Sequence, residues 1–556
     1  MQAAGIELHS LGHFMLARSF DVWGFNVAHE LHFSNILYAL ELAGLPLLRR
    51  ERRGNEPLII AGGTAVTNPL PLYDFVDAVF LGDGEDAILE ILTIVARCKE
   101  DGRDRQAILA ELAAVQGLLV MSTIEITDPG DLTHYPHYRA PAVQKRTHRA
   151  SVFADLEHVI VPSIAVTQDR VVVEVTRGCG QACRFCHAGF WKRPVRNSEV
   201  DALVKTADKL LSLTGNDSVS LHALSIADYP WLEELVVAMA GRFGSQGISI
   251  SLPSLRVQVK TIPVLEMTAG IRRSSVTFAL EAGSELQRER IHKKSSEENL
   301  HYLVREVFSR KWDLVKVYFM LGLPDLEGTE LEDLIRSLNA LGRIAEEAGK
   351  RKNVNVSVSL FVPKPFTTFQ WEKQARPEFF ADGIARIKAG LTSRRVHLKY
   401  PDPWMAYVEG LLSRGDHRVG AYLLEAYRMG ARFCSWDNAF ARPVWQEVVG
   451  QIPESLLELW LGERAGGTYV PWHDLVDGFP LEKLVRDYEK YRRVTRENMN
   501  PPHPQALSSS EFPPELLQPV EMPAHKFRTT MLLKLVLGKG QPRSEEHTSE
   551  LQSLTN

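Results

Sequence analysis

The run Val171-Val-Val-Glu-Val-Thr176, followed by Cys179, Cys183 and Cys186, constrains this chain more than any other segment. A short β-branched apolar run reads as a buried strand. The loop leaving it then carries three thiols in C-x-x-x-C-x-x-C spacing. A four-iron four-sulfur cluster normally takes four thiolates. Three cysteines in one loop hold three irons and leave the fourth iron open to an amino and carboxylate donor. The other two cysteines, Cys98 and Cys434, are distant and solitary, so neither a second cluster nor a disulfide framework follows from them. A zinc site is the main alternative, but zinc sites usually close with four ligands in paired spacings. His187 directly follows Cys186 and would strain a single tetrahedral shell.

From Arg170 onward the chain repeats strand and helix patterns. The strands are 171–176, 218–222, 248–252, 275–279, 314–320 and 354–360, each an alternating or apolar run between helical stretches. An earlier series, with strands near 20–27, 57–63 and 78–81 and a helix from Asp86 to about Lys99, has the same character and predicts a doubly wound parallel sheet. The predicted organisation is an incomplete Rossmann-like α/β domain over 1–127, a Pro- and His-containing connector over 128–168, a barrel over 169–398, a mainly helical region over 399–495, and a linker or disordered tail over 496–556. The polar string 543–556 reads as a sequencing artefact, and both termini read as truncated. A composition of 45% hydrophobic and 24% charged residues with a net charge of −5 is that of an ordinary globular protein. It recruits neither nucleic acid nor an anionic membrane, although a nucleic-acid substrate is not thereby ruled out. No apolar run approaches the about 18 residues a spanning helix needs. With clustered thiols, this makes a soluble cytoplasmic protein the expectation.

Two other motifs invite functional readings that their chemistry does not support. Gly82-Asp-Gly-Glu-Asp-Ala87 matches a dinucleotide fingerprint in spelling. Yet Asp83, Glu85 and Asp86 put negative charge where a pyrophosphate would sit, so they read as helix-dipole partners. His29-Glu-Leu-His32 spaces its histidines three apart rather than the four that H-E-x-x-H needs. His9 and His13 have i, i+4 spacing with no acid beside them. Arg184, Lys192, Arg193 and Arg196 form a basic run near the cysteines. It reads either as a solvated loop or as charge that offsets the cluster.

The cysteine loop, with Phe185 before the third cysteine, resembles the radical S-adenosylmethionine (radical SAM) superfamily. Segments 61–85, 361–371, 409–418 and 429–433 are similar to a family of such proteins with an N-terminal cobalamin-binding-like domain. The resemblance implies a partial (β/α)6 barrel binding a [4Fe-4S] cluster and S-adenosyl-L-methionine at the C-terminal strand ends. It implies SAM contacts at Ser225 and Asp228, where the superfamily often has Gly-Gly-Glu, at Ser254 and Arg256 for the carboxylate, at Glu281 and Gly283 for the ribose, and at Gly322 beside adenine. The resemblance makes cobalamin a possible cofactor, but the D-x-H-x-x-G motif that ligates cobalt is absent, which leaves it unsupported in the sequence. Phe366 stands where that family has histidine. The implied function is reductive cleavage of SAM to a 5′-deoxyadenosyl radical that abstracts hydrogen from a substrate, with a flavodoxin or ferredoxin as electron donor. The alternatives are methyl or methylthio transfer to RNA or protein, and a non-catalytic cluster protein.

Overall fold

The computed structural model describes residues 5–54, 56–149, 159–162, 166, 169–252, 257, 276–310, 312–495 and 497. The first domain is a four-stranded sheet of β1 (Val22–Asn26), β2 (Leu58–Gly62), β3 (Ala78–Phe80) and β4 (Leu118–Val120), in that order. The first three strands run parallel and β4 is antiparallel to β3. Helix α1 (Phe33–Leu42) buries Phe33, Ile36, Leu37 and Leu40, the i, i+3, i+4, i+7 stripe of an amphipathic helix. Helix α2 (Glu85–Glu100) does the same with Ala87, Ile91, Val95 and Cys98, and α3 (Arg105–Leu112) packs beside it.

Short strands follow: β5 (Glu125–Thr127) and β6 (His137–Arg139) form an antiparallel pair, and β7 (Val143–Gln144) pairs with a strand near the end of the described chain. The barrel series then begins with β8 (Val171–Arg177). Helix α4 (His187–Trp191), the two-residue strand β9 (Arg196–Asn197), α5 (Val200–Thr214), β10 (Ser218–Ala223), α6 (Leu232–Phe243) and β11 (Ser249–Ser251) complete its first half. The second half comprises β12 (Val276–Glu281), α7 (Glu285–Arg290), α8 (Glu297–Ser309), β13 (Leu314–Leu321), α9 (Glu330–Ala348), β14 (Asn353–Leu360), α10 (Pro377–Gly390) and β15 (Val396–Lys399).

All six strands expected from periodicity are present and run parallel within the orders β11-β10-β8 and β12-β13-β14, while the two-residue β9 adds to β8 antiparallel. A seventh parallel strand, β15, extends the second set. It escaped the sequence reading because Val396-His-Leu-Lys399 is short and half charged. One hydrophobic core contains Val173 of β8, Leu221 of β10, Phe278 of β12, Val317 of β13 and Val356 of β14, together with helix residues such as Leu203, Leu303 and Leu341. The strands therefore bury one face against the helices. On β13 and β14 every second residue is only half-buried, and these positions form the opposite, lumen-side face.

The helical region consists of α11 (Pro403–Arg414), α12 (Val419–Arg428), α13 (Arg442–Gly450), α14 (Glu454–Leu461), the strand β16 (Val476–Asp477) that pairs with β7, and α15 (Leu481–Arg493). It shares one core with the first domain: Leu31, Ile36, Val66 and Leu70 lie in the same cluster as Leu411, Leu423, Trp445, Trp460 and Trp472. The Asn68 amide donates to the carbonyls of Ser413 (3.0 Å) and Gly415 (2.8 Å). These buried bonds fix the register between the two regions. Among the described residues, no helix is long and apolar enough to cross a membrane.

Candidate active site

The three cysteines lie in the loop from β8 to α4. Gly178 has φ 91°, and a Cβ there would lie 2.5 Å from the Lys192 carbonyl oxygen, so only glycine lets the loop fold against 192–194. Ala182 also takes the left-handed region, at φ 53°, a strained setting for a residue with a side chain. The Cys186 amide donates to the Cys183 carbonyl at 2.9 Å, and Cys186 stands directly before α4. Cys183 is buried, while Cys179 and Cys186 are intermediate. Burial, reinforced by the neighbouring Cys183 and Cys179, pushes the Cys186 thiol up to about 12. A thiol held up in this way by burial and by its two neighbours is what metal coordination would relieve, because bound iron stabilises thiolates. This donor set fits an iron–sulfur cluster.

The basic run divides in the fold. Arg184 is buried, donates to the Arg290 carbonyl at 2.5 Å and pairs with Asp487 of α15 at 2.9 Å. Arg196 pairs with Asp83 and donates to the His148 carbonyl. Both are anchors, not solvated charge. Arg193 remains beside the loop, with its guanidinium over the Phe190 ring and 3.4 Å from the Gly180 carbonyl. The His187 ring faces away from its cysteine neighbour: Nε2 lies 3.2 Å from Thr67 Oγ1, and the ring stacks on Trp191. It is engaged with the first domain and makes a poor fourth ligand.

Several strand-end residues expected from the sequence meet near this loop. Ser225 is buried and donates to Asp228 at 2.6 Å; the same Asp228 oxygen accepts from Gln181 of the cysteine loop at 2.7 Å. Glu281, at the end of β12, takes φ 74° and pairs with Lys293 at 3.0 Å. Lys293 in turn lowers the Cys186 pKa, which places Glu281 on the cysteine side of the barrel. Gly283 is packed so closely on the first turn of α9 that a Cβ would lie 2.5 Å from the Asp333 carbonyl carbon. Glu330 of that turn accepts from the Gly283 amide at 2.5 Å and the Ser284 hydroxyl at 3.0 Å. Gly322 has φ 86°, and a Cβ would sit 2.5 Å from the Phe380 ring. Phe185 is half-buried against the core shared with the helical region. Ser254 and Arg256 lie outside the described residues.

The sequence reading missed Gln181, Lys293 and Glu330. Lys293 sits in Arg290-Ile-His-Lys-Lys294, which reads as an ordinary basic helix end. Glu330 is separated from Gly283 by all of β13. Only the return of the chain along the barrel brings these partners together.

At the first domain's carboxyl edge, where doubly wound sheets bind ligands, the two histidines of His29-Glu-Leu-His32 are already engaged. His29 is paired with Glu409 at 3.3 Å and His32 with Ser435 at 3.0 Å. Thr67 touches His187, and Lys145 binds the carbonyls of Trp191 and Arg193 at 2.6 Å each, so the first domain and the segment after β7 contact α4 and the residues just after it. His29, Glu30 and Glu409 converge as a candidate cation site. Its centre is filled by the Lys364 ammonium, 2.7 Å from Glu30 and 2.6 Å from Glu409. Burial opposes that charge, but the two carboxylates outweigh it and hold the Lys364 pKa above its ordinary value. The Gly82 turn is likewise structural: a Cβ there would collide with the Arg146 backbone, and Asp83 is buried against Arg196 and Arg177. Phe366 is fully buried against Trp191, His473 and Phe479, with centroids 4.6–5.0 Å away, so an apolar box occupies the place where histidine was expected.

Residues 1–120 match the family described as radical SAM proteins, N-terminal, and residues 173–338 match the radical SAM superfamily. An uncharacterised protein of Methanocaldococcus jannaschii is 26% identical over 384 residues, covering 67% of this chain and 75% of that protein. Among solved structures, the radical SAM methyltransferase TsrM from Kitasatospora setae, with cobalamin and a [4Fe-4S] cluster bound, aligns with a TM-score of 0.46 and 14% identity over 74% of this chain and 89% of its own. The cobalamin-dependent SAM radical enzyme OxsB, with aqua-cobalamin bound, aligns with a TM-score of 0.40 and 15% identity over 58% of this chain and 44% of its own.

Proposed function

The chain belongs to the radical SAM superfamily, and on that premise we propose that it reductively cleaves SAM and uses the resulting radical to abstract hydrogen from a substrate. The observation that carries the reading is the three-thiol loop at the end of β8, with Asp228, after β10, tied to it through Gln181, and Glu281, at the end of β12, held by Lys293, whose neighbour His292 contacts the loop's Ala182 carbonyl. When bound, the cluster and SAM supply one-electron cleavage of the sulfonium to methionine and a 5′-deoxyadenosyl radical.

This chain's residues have definable tasks around that chemistry. Cys179, Cys183 and Cys186 hold three irons. Asp228, whose geometry is set by Ser225 and Gln181, accepts from the methionine amino group. Glu281 accepts from ribose hydroxyls, while Lys293 fixes its carboxylate and keeps the local charge balanced. Gly283 and Gly322 let the strand-end loops beside the ribose and adenine pack against α9 and Phe380, and Phe185 packs behind the loop. Ser254 and Arg256 take the carboxylate, the guanidinium offering a planar two-donor fork. A flavodoxin or ferredoxin in a reducing cytoplasm supplies the electron.

The test is anaerobic reconstitution with iron and sulfide, followed by dithionite and SAM. Formation of 5′-deoxyadenosine is expected. A protein that holds the cluster and forms none would refute the enzymatic reading in favour of a binding or sensing role.

A further inference from the structure

The strand register places lumen-side residues in rows. Thr277, Lys316, Asn355 and His397 form one row across β12 to β15, and Ala279, Tyr318, Ser357 and Lys399 form the next row toward the carboxyl ends. Lys316 is half-buried and Lys399 exposed, and burial, with the Lys399 charge as the second cause, lowers the Lys316 pKa.

The lumen's acids are handled differently. Glu174 of β8 is clasped by Arg177 at 2.8 and 3.0 Å, and Glu281 is held by Lys293. Neither lumen lysine forms an ion pair with a carboxylate of the described residues. Two cations on one partly desolvated wall repel each other and gain from an anion placed between them. The two lysines stand two interstrand spacings apart across the sheet and one row apart along it, about 12 Å in all, a span that two long flexible side chains close around a single ligand group. Lys316 lies three residues below Phe319, the partner of Glu281, which is about 10 Å along the strand.

We propose that the wall formed by β13, β14 and β15 binds an anionic group of the substrate, a phosphate or a pair of carboxylates, between Lys316 and Lys399, with Asn355, Ser357 and Tyr318 supplying neutral donors. Lysine acts here as a point charge, suited to an anion of varied orientation. The substrate is thereby a molecule whose anion sits deeper in the barrel than the carbon that loses hydrogen. The placement of that carbon rests on the superfamily reading, but the anion site stands on its own geometry.

The test is calorimetric titration of the reconstituted protein with pyrophosphate and, separately, with succinate. Wild type is expected to bind one of them, which decides between phosphate and dicarboxylate. Lys316→Met/Lys399→Met is expected to weaken that binding tenfold or more, with iron content and circular dichroism unchanged. Because Lys399 is exposed, Lys399→Glu serves as the second variant should the double variant misfold, and it is expected to abolish binding by charge reversal. Binding of neither anion to wild type, or equal binding by wild type and the variants, would overturn the proposal. Neither readout involves SAM cleavage, so its failure is separable from failure of the enzymatic reading.

Discussion

Replacing Gly283 by alanine tests the link between barrel packing and the site. The added methyl group would lie 2.5 Å from the Asp333 carbonyl carbon and closer still to the Leu334 amide. These are backbone atoms of the first turn of α9, which cannot swing aside as a side-chain tip would. Ordinary contact requires about 1 Å of further separation. A displacement of that size takes the Gly283 amide from 2.5 Å to beyond hydrogen-bond range of Glu330 and loosens the Ser284 bond. Bonds to a charged group contribute about 1.5–3 kcal/mol each, and part of that is lost as the loop reorganises; an overall cost of about 3 kcal/mol is expected. Glu281 lies two residues upstream in the left-handed region, so the ribose contact moves with the loop. The KM for SAM, measured by anaerobic 5′-deoxyadenosine formation, is expected to rise about tenfold, equivalent to about 1.4 kcal/mol, and the unfolding temperature to fall. Gly241→Ala is the control, because nothing lies within 4 Å of a Cβ there and the residue is inside α6; it should be neutral or mildly stabilising. If Gly283→Ala matched Gly241→Ala in both KM and unfolding temperature, the packing argument would be wrong.

Cys183→Ala is expected to remove the cluster while leaving the barrel folded, since the core residues of β8 face the helices; unchanged iron and sulfide content would contradict this. Lys364→Met leaves the Glu30 and Glu409 carboxylates facing each other without their shared cation and should cost about 3–5 kcal/mol, read as a fall in unfolding temperature; an unaltered transition would show that the buried triad is not a stabilising lock. Incubation with hydroxocobalamin followed by gel filtration should leave no corrinoid absorbance on the protein, whereas stoichiometric retention would show that the edge beside Thr67 and His187 opens.

The cysteine spacing, the six barrel strands and the decoy status of Gly82 and His29 were legible in the sequence because each rests on local chemistry: thiol spacing within one loop, period-two burial within one strand, and charge at one helix start. Asp228, Glu281, Gly283 and Gly322 could be nominated by their order after strands. Their partners could not, because Gln181, Lys293 and Glu330 are ordinary residues until distant segments meet. The basic run shows the same limit: Arg184 became a buried anchor and Arg196 a half-buried one, decided by Asp487 and Asp83 on other elements, while Arg193 stayed beside the loop.

The sequence by itself determined the thiol set and the repeating strand–helix pattern, since short-range spacing and burial periodicity act within a few residues. Only the tertiary structure decided that Lys364 fills the would-be cation site, that Thr67 meets His187, and that Lys316 and Lys399 share one lumen wall. These outcomes depend on strand register and interdomain packing, in which residues tens to hundreds of positions apart satisfy or expose one another's charge.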